Sequence, residues 1–171
     1  MKIYGVTGWK NTGKTTLMER LVAEITGRGL TVSTVKHAHH ATEIDHPGRD
    51  SYRHRAAGAR QVLLSSPRRW ALMEELRDAP EPGLEELLAR LSPVDLVLIE
   101  GYKRAGHPKI EAHRLQTSRP LLALETASIR AVASDSPAND AALAGVRVPV
   151  LPLDDIAAIA DFILHDLGLA P

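Results

Sequence analysis

The sequence predicts an α/β fold, a three-layer sandwich around a mostly parallel β-sheet, in a single domain spanning residues 1–171. Three observations predict it. A β-prone strand, Lys2–Thr7, leads into a helical stripe, Lys14–Thr26, and then a second strand, Leu30–Lys36. That order is the signature of a parallel pair with a right-handed crossover. Asp95–Glu100 sets a continuous apolar run, Leu-Val-Leu-Ile, between two acids, as in a parallel strand covered on both faces. The chain of 171 residues is 44% apolar and 25% charged, enough for one core without a disulfide or structural metal.

The elements follow in order. In the first helix Leu17, Leu21, Val22 and Ile25 share a face, and Gly27 and Gly29 end it. Residues His37 to Arg49 show no periodicity and form a long loop. Asp50 or Ser51 caps a helix to Ala57, stopped by Gly58. Gln61–Ser65 is a strand, and Trp70–Leu76 fits strand by alternation and helix by composition. After a turn at Pro80, Pro82 and Gly83, the spacing of Leu84, Leu87, Leu88 and Leu91 predicts a helix. Lys109–His113, Pro120–Leu124 and Ile129–Ser134 are strand candidates, and Asn139–Ala144 is at most a short helix. Val146–Leu151 contains Pro149 and belongs at a sheet edge. Asp154 caps a last helix to Leu167 with Ile156, Ile159, Ala160 and Ile163 inward. An added β segment is expected around 60–76 or 109–124.

Composition excludes several functions. Lys plus Arg number 21 and Asp plus Glu number 21, so the net charge is zero. A binder of bulk nucleic acid or of an anionic membrane needs a basic excess. With no Cys there is no disulfide framework, iron–sulfur cluster or thiolate zinc site. No apolar run reaches the ~18–20 residues of a membrane span, and the first residues lack a signal peptide's pattern. A cytoplasmic protein is expected.

Gly8-Trp9-Lys10-Asn11-Thr12-Gly13-Lys14-Thr15 matches G-x-x-x-x-G-K-[ST] between a predicted strand and a predicted helix, which is the confirming context for a phosphate loop. Its glycines let backbone N–H groups close around a phosphate, and the helix start adds unpaired N–H groups and a positive dipole end. Lys10 to Thr16 (Lys10, Asn11, Thr12, Gly13, Lys14, Thr15 and Thr16) are the candidate nucleotide-binding residues. Lys14 reaches the β- and γ-phosphates, Thr15 offers its hydroxyl to Mg²⁺, and Thr16 donates to the α-phosphate. Glu100 ends the apolar strand at the carboxyl edge, where open α/β sheets bind ligands. It is the candidate second holder of Mg²⁺ and, with Lys14, a candidate catalytic residue. P-loop proteins more often place Asp there. Asp135 ends a later strand, and its carboxylate can accept from guanine N1–H and N2–H₂, donors that adenine lacks; the usual Asn-Lys before such an Asp is missing.

His37, His39, His40, His46 and His54 crowd into a short stretch with Asp45 and Asp50. Three alternatives stay open for His37, His39, His40, Asp45 and Asp50: a metal site, a second-substrate or switch loop near the γ-phosphate, or a solvated polar loop. Lys36, Arg53, Arg55 and Arg60 give the region local positive charge.

Gly8–Thr16, Lys-His-Ala-His-His (Lys36–His40), Asp45–Ser51, His54–Ala59 and Asp-Leu-Val-Leu-Ile-Glu-Gly-Tyr-Lys (Asp95–Lys103) together resemble the molybdopterin-guanine dinucleotide biosynthesis protein B (MobB) family. The phosphate loop is shared by many families, whereas the stretch Lys36–Ala59 and Glu-Gly-Tyr-Lys are far more specific. The resemblance implies a P-loop NTPase sandwich that binds GTP with Mg²⁺ and hydrolyses it weakly. It also implies a homodimer that assists the guanylyltransferase joining GMP to molybdopterin, with molybdopterin itself a further candidate ligand. Where the family usually has an acid in its His motif, this chain has Ala38. The rival functions are a P-loop small-molecule kinase, with Arg53, Arg55 and Arg60 as a cationic lid, and a metallochaperone GTPase using the His loop.

Overall fold

The computed structural model describes residues 1–38, 44–137 and 140–169. The chain divides into two compact units, Met1–His37 with Pro93–Pro171, and Ala38–Ser92. In chain order the elements are β1 (Lys2–Thr7), α1 (Lys14–Gly27), β2 (Val32–Lys36), α2 (Asp50–Ala56), β3 (Gln61–Ser65), β4 (Trp70–Glu74), α3 (Leu84–Leu88), β5 (Leu96–Glu100), β6 (Lys109–His113), β7 (Ile129–Ser134), β8 (Val150–Pro152) and α4 (Ile156–Leu167). Two 3₁₀ turns, Leu122–Leu124 and Ala141–Leu143, complete them.

The first unit is built on a six-stranded sheet of order β2-β5-β1-β6-β7-β8, and every pairing in it is parallel. β1 and β2 are therefore not neighbours, as the simplest crossover predicted. β5 lies between them, since its residues Leu96–Ile99 are completely buried and need a strand on each side. β2 has no fully buried residue and takes the edge. β8 takes the other edge, with Pro149 just before it.

One face of the sheet packs Tyr4, Val6, Leu96, Leu98, Ile110, Ala112, Ala131 and Ala133 against α1 and α4. Leu21 and Ile25 of α1 and Ile159 and Ile163 of α4 are fully buried there, each contributing roughly 1.5–3 kcal/mol. Arg28 ties the helices together, pairing with Glu24 at 2.9 Å and Asp161 at 2.5 Å. On the opposite face Leu121, Val132 and Leu143 form a smaller cluster under the 3₁₀ turns.

Three local expectations are corrected. Pro120–Leu124 is not a strand, because the buried carboxylate of Glu111 accepts from the Leu122 and Ala123 N–H groups at 3.0 and 2.9 Å and winds the chain into a 3₁₀ turn. The cap of α4 is Asp155, which accepts from the Ala158 N–H at 3.0 Å, while Asp154 pairs with Arg20 at 3.1 Å. The predicted helix at Leu84–Leu91 is shorter, Leu84–Leu88.

In the second unit β3 and β4 pair antiparallel, resolving Trp70–Leu76 in favour of strand and placing the added β segment at 60–76. Its Val62 and Met73 are buried, whereas Leu63, Leu64, Trp70 and Leu72 are exposed.

His107 supplies a test of the packing. Its ring is buried against Gly5, where a Cβ would lie 2.7 Å from Nε2, and neither ring nitrogen has a partner among the described residues. Burial, and then the charge of Lys109, pushes the imidazole down to about 4. Above about pH 6.5 the ring is neutral in both folded and unfolded chains. As pH falls toward 4 the unfolded chain takes up a proton that the folded chain does not, so stability falls. The loss amounts to roughly 3 kcal/mol at about 1.4 kcal/mol per pH unit. Denaturant unfolding at pH 7.5 and 4.5 should show a loss that is smaller in His107→Phe, and equal pH slopes in parent and variant would refute a neutral folded-state His107.

Candidate functional site

The phosphate loop runs from β1 to α1 at the carboxyl edge of the sheet. Gly8 has φ 140°, and a Cβ there would lie 2.4 Å from the Ala112 carbonyl oxygen, so only glycine passes that point of β6. Gly13 caps α1 with φ 84° and leaves the helix start open. Inside the loop the Thr12 hydroxyl donates to the Trp9 carbonyl at 2.9 Å, and the Lys14 ammonium donates to the same oxygen at 2.5 Å. Asn11 takes a positive φ of 66°.

Register then brings the distant acid to this loop. In the parallel ladder Glu100 lies level with Val6 of β1 and Lys36 of β2. Its carboxylate accepts from the Thr15 hydroxyl at 3.2 Å and pairs with the Lys36 ammonium at 3.6 Å. Thr15 and Glu100 thus form a pair of oxygen donors of the kind that suits Mg²⁺. Burial lowers the affinity of Lys14 for its proton; the charges of Lys103 and Lys36 act in the same direction, and Glu100 opposes them.

His37 lies beside this edge. Its N–H donates to the Glu100 carbonyl at 2.9 Å, its Cβ is 3.1 Å from where a Gly101 Cβ would stand, and its ring stacks on Tyr102 with centroids 4.4 Å apart. Asp45 and Asp50 belong to the second unit. Asp45 pairs with Arg55 at 3.0 Å, and Asp50 lies 3.8 Å from Arg53. His39 and His40 lie outside the described residues. Among the described residues no three His, Asp or Glu side chains cluster so as to hold a metal ion.

Asp135 follows β7, as the strand pattern predicts. Its carboxylate accepts from the Leu115 N–H at 2.7 Å and from Arg114 at 3.2 Å. Arg114 is a site residue that motif reasoning missed. Its guanidinium lies 3.1 Å from where a Gly13 Cβ would stand, over the start of α1. Lys103 and Arg119 were missed as well; they lie 4.3 and 4.8 Å from the ring centre of Trp9, whose indole N–H donates to Pro120 O at 2.8 Å. Only the Glu-Gly-Tyr-Lys segment pointed to Lys103, and no local pattern marks Arg114 or Arg119.

Comparison with known proteins agrees with this arrangement. A model of the family MobB, molybdopterin guanine dinucleotide synthesis protein B, matches residues 3–135. The chain is similar to the molybdopterin-guanine dinucleotide biosynthesis adapter protein of Escherichia coli strain K12, 39% identical over 160 residues, covering 92% of this chain and 88% of that one. It is similarly 38% identical to the adapter protein of the same name in Haemophilus influenzae strain Rd, over 94% of this chain and 86% of that one. Among solved structures, Bacillus subtilis MobB superposes with a TM-score of 0.77 at 28% identity, covering 98% of each chain. A MobB homologue from Bacillus stearothermophilus gives 0.70 at 28% identity, over 99% of this chain and 100% of that one. With the phosphate loop, the Glu100 edge and the six-stranded parallel sheet all in place, the chain belongs to the MobB family.

Proposed function

We propose that this protein binds GTP with Mg²⁺, hydrolyses it slowly, and acts as an adapter to the guanylyltransferase that attaches GMP to molybdopterin. The observation that carries the nucleotide half is the Thr15–Glu100 contact of 3.2 Å at the mouth of the phosphate loop, with Lys14 and Lys36 beside it. Thr15 and Glu100 would hold the Mg²⁺, which when bound neutralises charge on the phosphates. Lys14 moves from the Trp9 carbonyl to the β/γ-phosphates, and Glu100 orients the attacking water. The adapter half rests on the names of the relatives. No helix among the described residues is long and apolar enough to cross a membrane. Product analysis after incubation with GTP separates this function from its rivals: free phosphate alone supports it, a phosphorylated acceptor indicates a kinase, and dependence on a transition metal indicates a metallochaperone.

Lys14→Ala removes a charge-assisted bond worth about 1.5–3 kcal/mol, so GTP affinity measured by calorimetry should fall at least about tenfold. Glu100→Gln should lower Mg²⁺-dependent hydrolysis far more than metal-free nucleotide binding. Undiminished binding in the first variant, or parental turnover in the second, would remove the residue from its role.

Asp135 tests the choice of base. A carboxylate facing guanine accepts two hydrogen bonds, whereas facing adenine it is desolvated without partners. The contacts to Arg114 and the Leu115 N–H hold that carboxylate in place at the end of β7. GTP should therefore bind well above ATP, and Asp135→Asn should weaken GTP and narrow the gap. An unchanged GTP-to-ATP ratio in competition binding would assign guanine selection to other groups.

We also propose a homodimer formed through the β3–β4 hairpin. Leu63 and Leu72 are directly opposed there and are 62% and 47% exposed, and Trp70 on the same face is 69% exposed. An apolar strand face of this kind is costly in water without a partner. Sedimentation should show a dimer at micromolar concentration and a monomer for Leu72→Asp; a parent chain that stays monomeric would refute it.

A further inference from the structure

A cavity of about 510 Å³ opens beside the phosphate loop, between its first residues, Trp9 to Asn11, and the segment 114–119 that follows β6. Lys103, from the loop after β5, lines it as well. It shares none of Lys14, Thr15 and Glu100 with the proposed metal and γ-phosphate site. Its volume lies within the ~300–1,000 Å³ of small-molecule sites.

The charge of this cavity is one-sided. Lys10, Lys103, Arg114 and Arg119 all line it, the remaining lining side chains are neutral, and no carboxylate is among them. Of these four cations only Arg114 has an acid of the described residues within ion-pair distance, Asp135 at 3.2 Å, and that acid is shared with the Leu115 N–H. Four cations gathered without an equal number of acids repel one another, in a chain whose overall charge is zero. Two of them are also held in place. Trp9, anchored through Pro120, keeps the Lys103 ammonium 4.3 Å and the Arg119 guanidinium 4.8 Å from its ring centre. Cations fixed before a ligand arrives lose little freedom on binding it. Guanidinium forks match the oxygens of a phosphate, and the hydroxyls of Thr117 and Ser118 add donors. A volume of this size suits one small anion rather than a polymer or a lipid surface.

We propose that this cavity is a second anion site, which takes the phosphate of a small phosphomonoester while the phosphate loop holds its nucleotide. The second clause rests on the nucleotide binding proposed above; the first does not. Lys103 lies between the two sites, against Trp9 and close enough to Lys14 for their charges to interact, so the two anions would lie on either side of one lysine.

The test uses the full chain and phenyl phosphate as the probe, followed by calorimetry. With the phosphate loop saturated by the β,γ-imido analogue of GTP and Mg²⁺, one phenyl phosphate should bind per chain. Arg119→Gln, or Ser118→Asp where the first variant folds poorly, should weaken it at least about tenfold and leave the affinity for the analogue unchanged. In the nucleotide-free Lys14→Ala chain phenyl phosphate should still bind. That arm reads the cavity even if the GTP analogue fails to bind, so the two proposals fail separately. Displacement of the probe by the analogue would make the cavity part of the nucleotide site and overturn the proposal. So would the absence of millimolar binding, or equally tight binding of inorganic phosphate, which would leave the ester group without a role.

Discussion

The row Lys36–Glu100–Val6 across three parallel strands is the constraint on which the rest of the structure depends. Parallel ladders fix which residues are level, and a slip of one residue turns every side chain to the other face. The buried Leu96–Ile99 run prevents that slip, because any other register exposes part of it. β1 ends in the phosphate loop and the loop opens α1, so the position of Thr15 follows from the position of β1. The 3.2 Å contact between Thr15 and Glu100, 85 residues apart in sequence, is therefore set by backbone pairing in the sheet more than by the two side chains. The same logic acts on the other side of β1. Thr7 is level with Glu111 of β6, and Gly8 crosses directly over Ala112.

Overall neutrality conceals a strongly asymmetric distribution of charge. At the carboxyl edge Lys14, Lys36, Lys103 and Arg114 approach one another, and the acids Glu100 and Asp135 each contact at least one of them. Elsewhere many ion pairs are exposed, such as Arg20–Asp154 and Arg90–Glu86, and such pairs contribute little to stability. Zero net charge argues against binding a polyelectrolyte, yet it says nothing of a cleft a few residues wide. An anion entering that edge meets several cations at once in a partly desolvated setting, where each interaction is stronger than in bulk water.

Elements whose signal is local were legible in the sequence. The phosphate motif, the acid-bounded strand at Glu100 and the apolar stripes of α1 and α4 each depend on neighbours within a few residues. Three features failed for the opposite reason. The 3₁₀ turn at Leu122–Leu124 is imposed by Glu111, which no propensity of that segment reveals. The place of β5 between β1 and β2 depends on which strand most needs covering, a competition among distant segments. Asp154 and Asp155 are equivalent as caps on paper, and Arg20 of another helix decides between them. Arg114 is the site residue with the least local signal, since its position over Gly13 exists only once β6 lies beside β1.

β6 explains how loops without regular structure hold their cations in place. Ile110 and Ala112 face the apolar core, while the alternate residues Lys109, Glu111 and His113 are buried as well and polar. Leaving three such groups unpaired would cost about 1–3 kcal/mol each or more. Each instead holds a different piece of chain. The Lys109 ammonium donates to the Ala105 carbonyl and to the Ser128 hydroxyl at 3.2 Å. Glu111 accepts from the backbone of Leu122 and Ala123, just beyond Pro120. The His113 Nδ1 bonds the Ser134 hydroxyl at 2.9 Å, next to Asp135. The loop carrying Tyr102 and Lys103, the segment carrying Arg119 and Pro120, and the end of β7 carrying Asp135 are thus all pinned from one strand. Tyr102 tolerates a positive φ of 43° in that loop, a strained conformation for a bulky residue that persists only where the surroundings enforce it. The polar face of a strand that the sequence offers as a candidate is therefore what allows the carboxyl edge to present charge at fixed positions: the candidate site lies above the sheet, and the bonds that shape it lie within it.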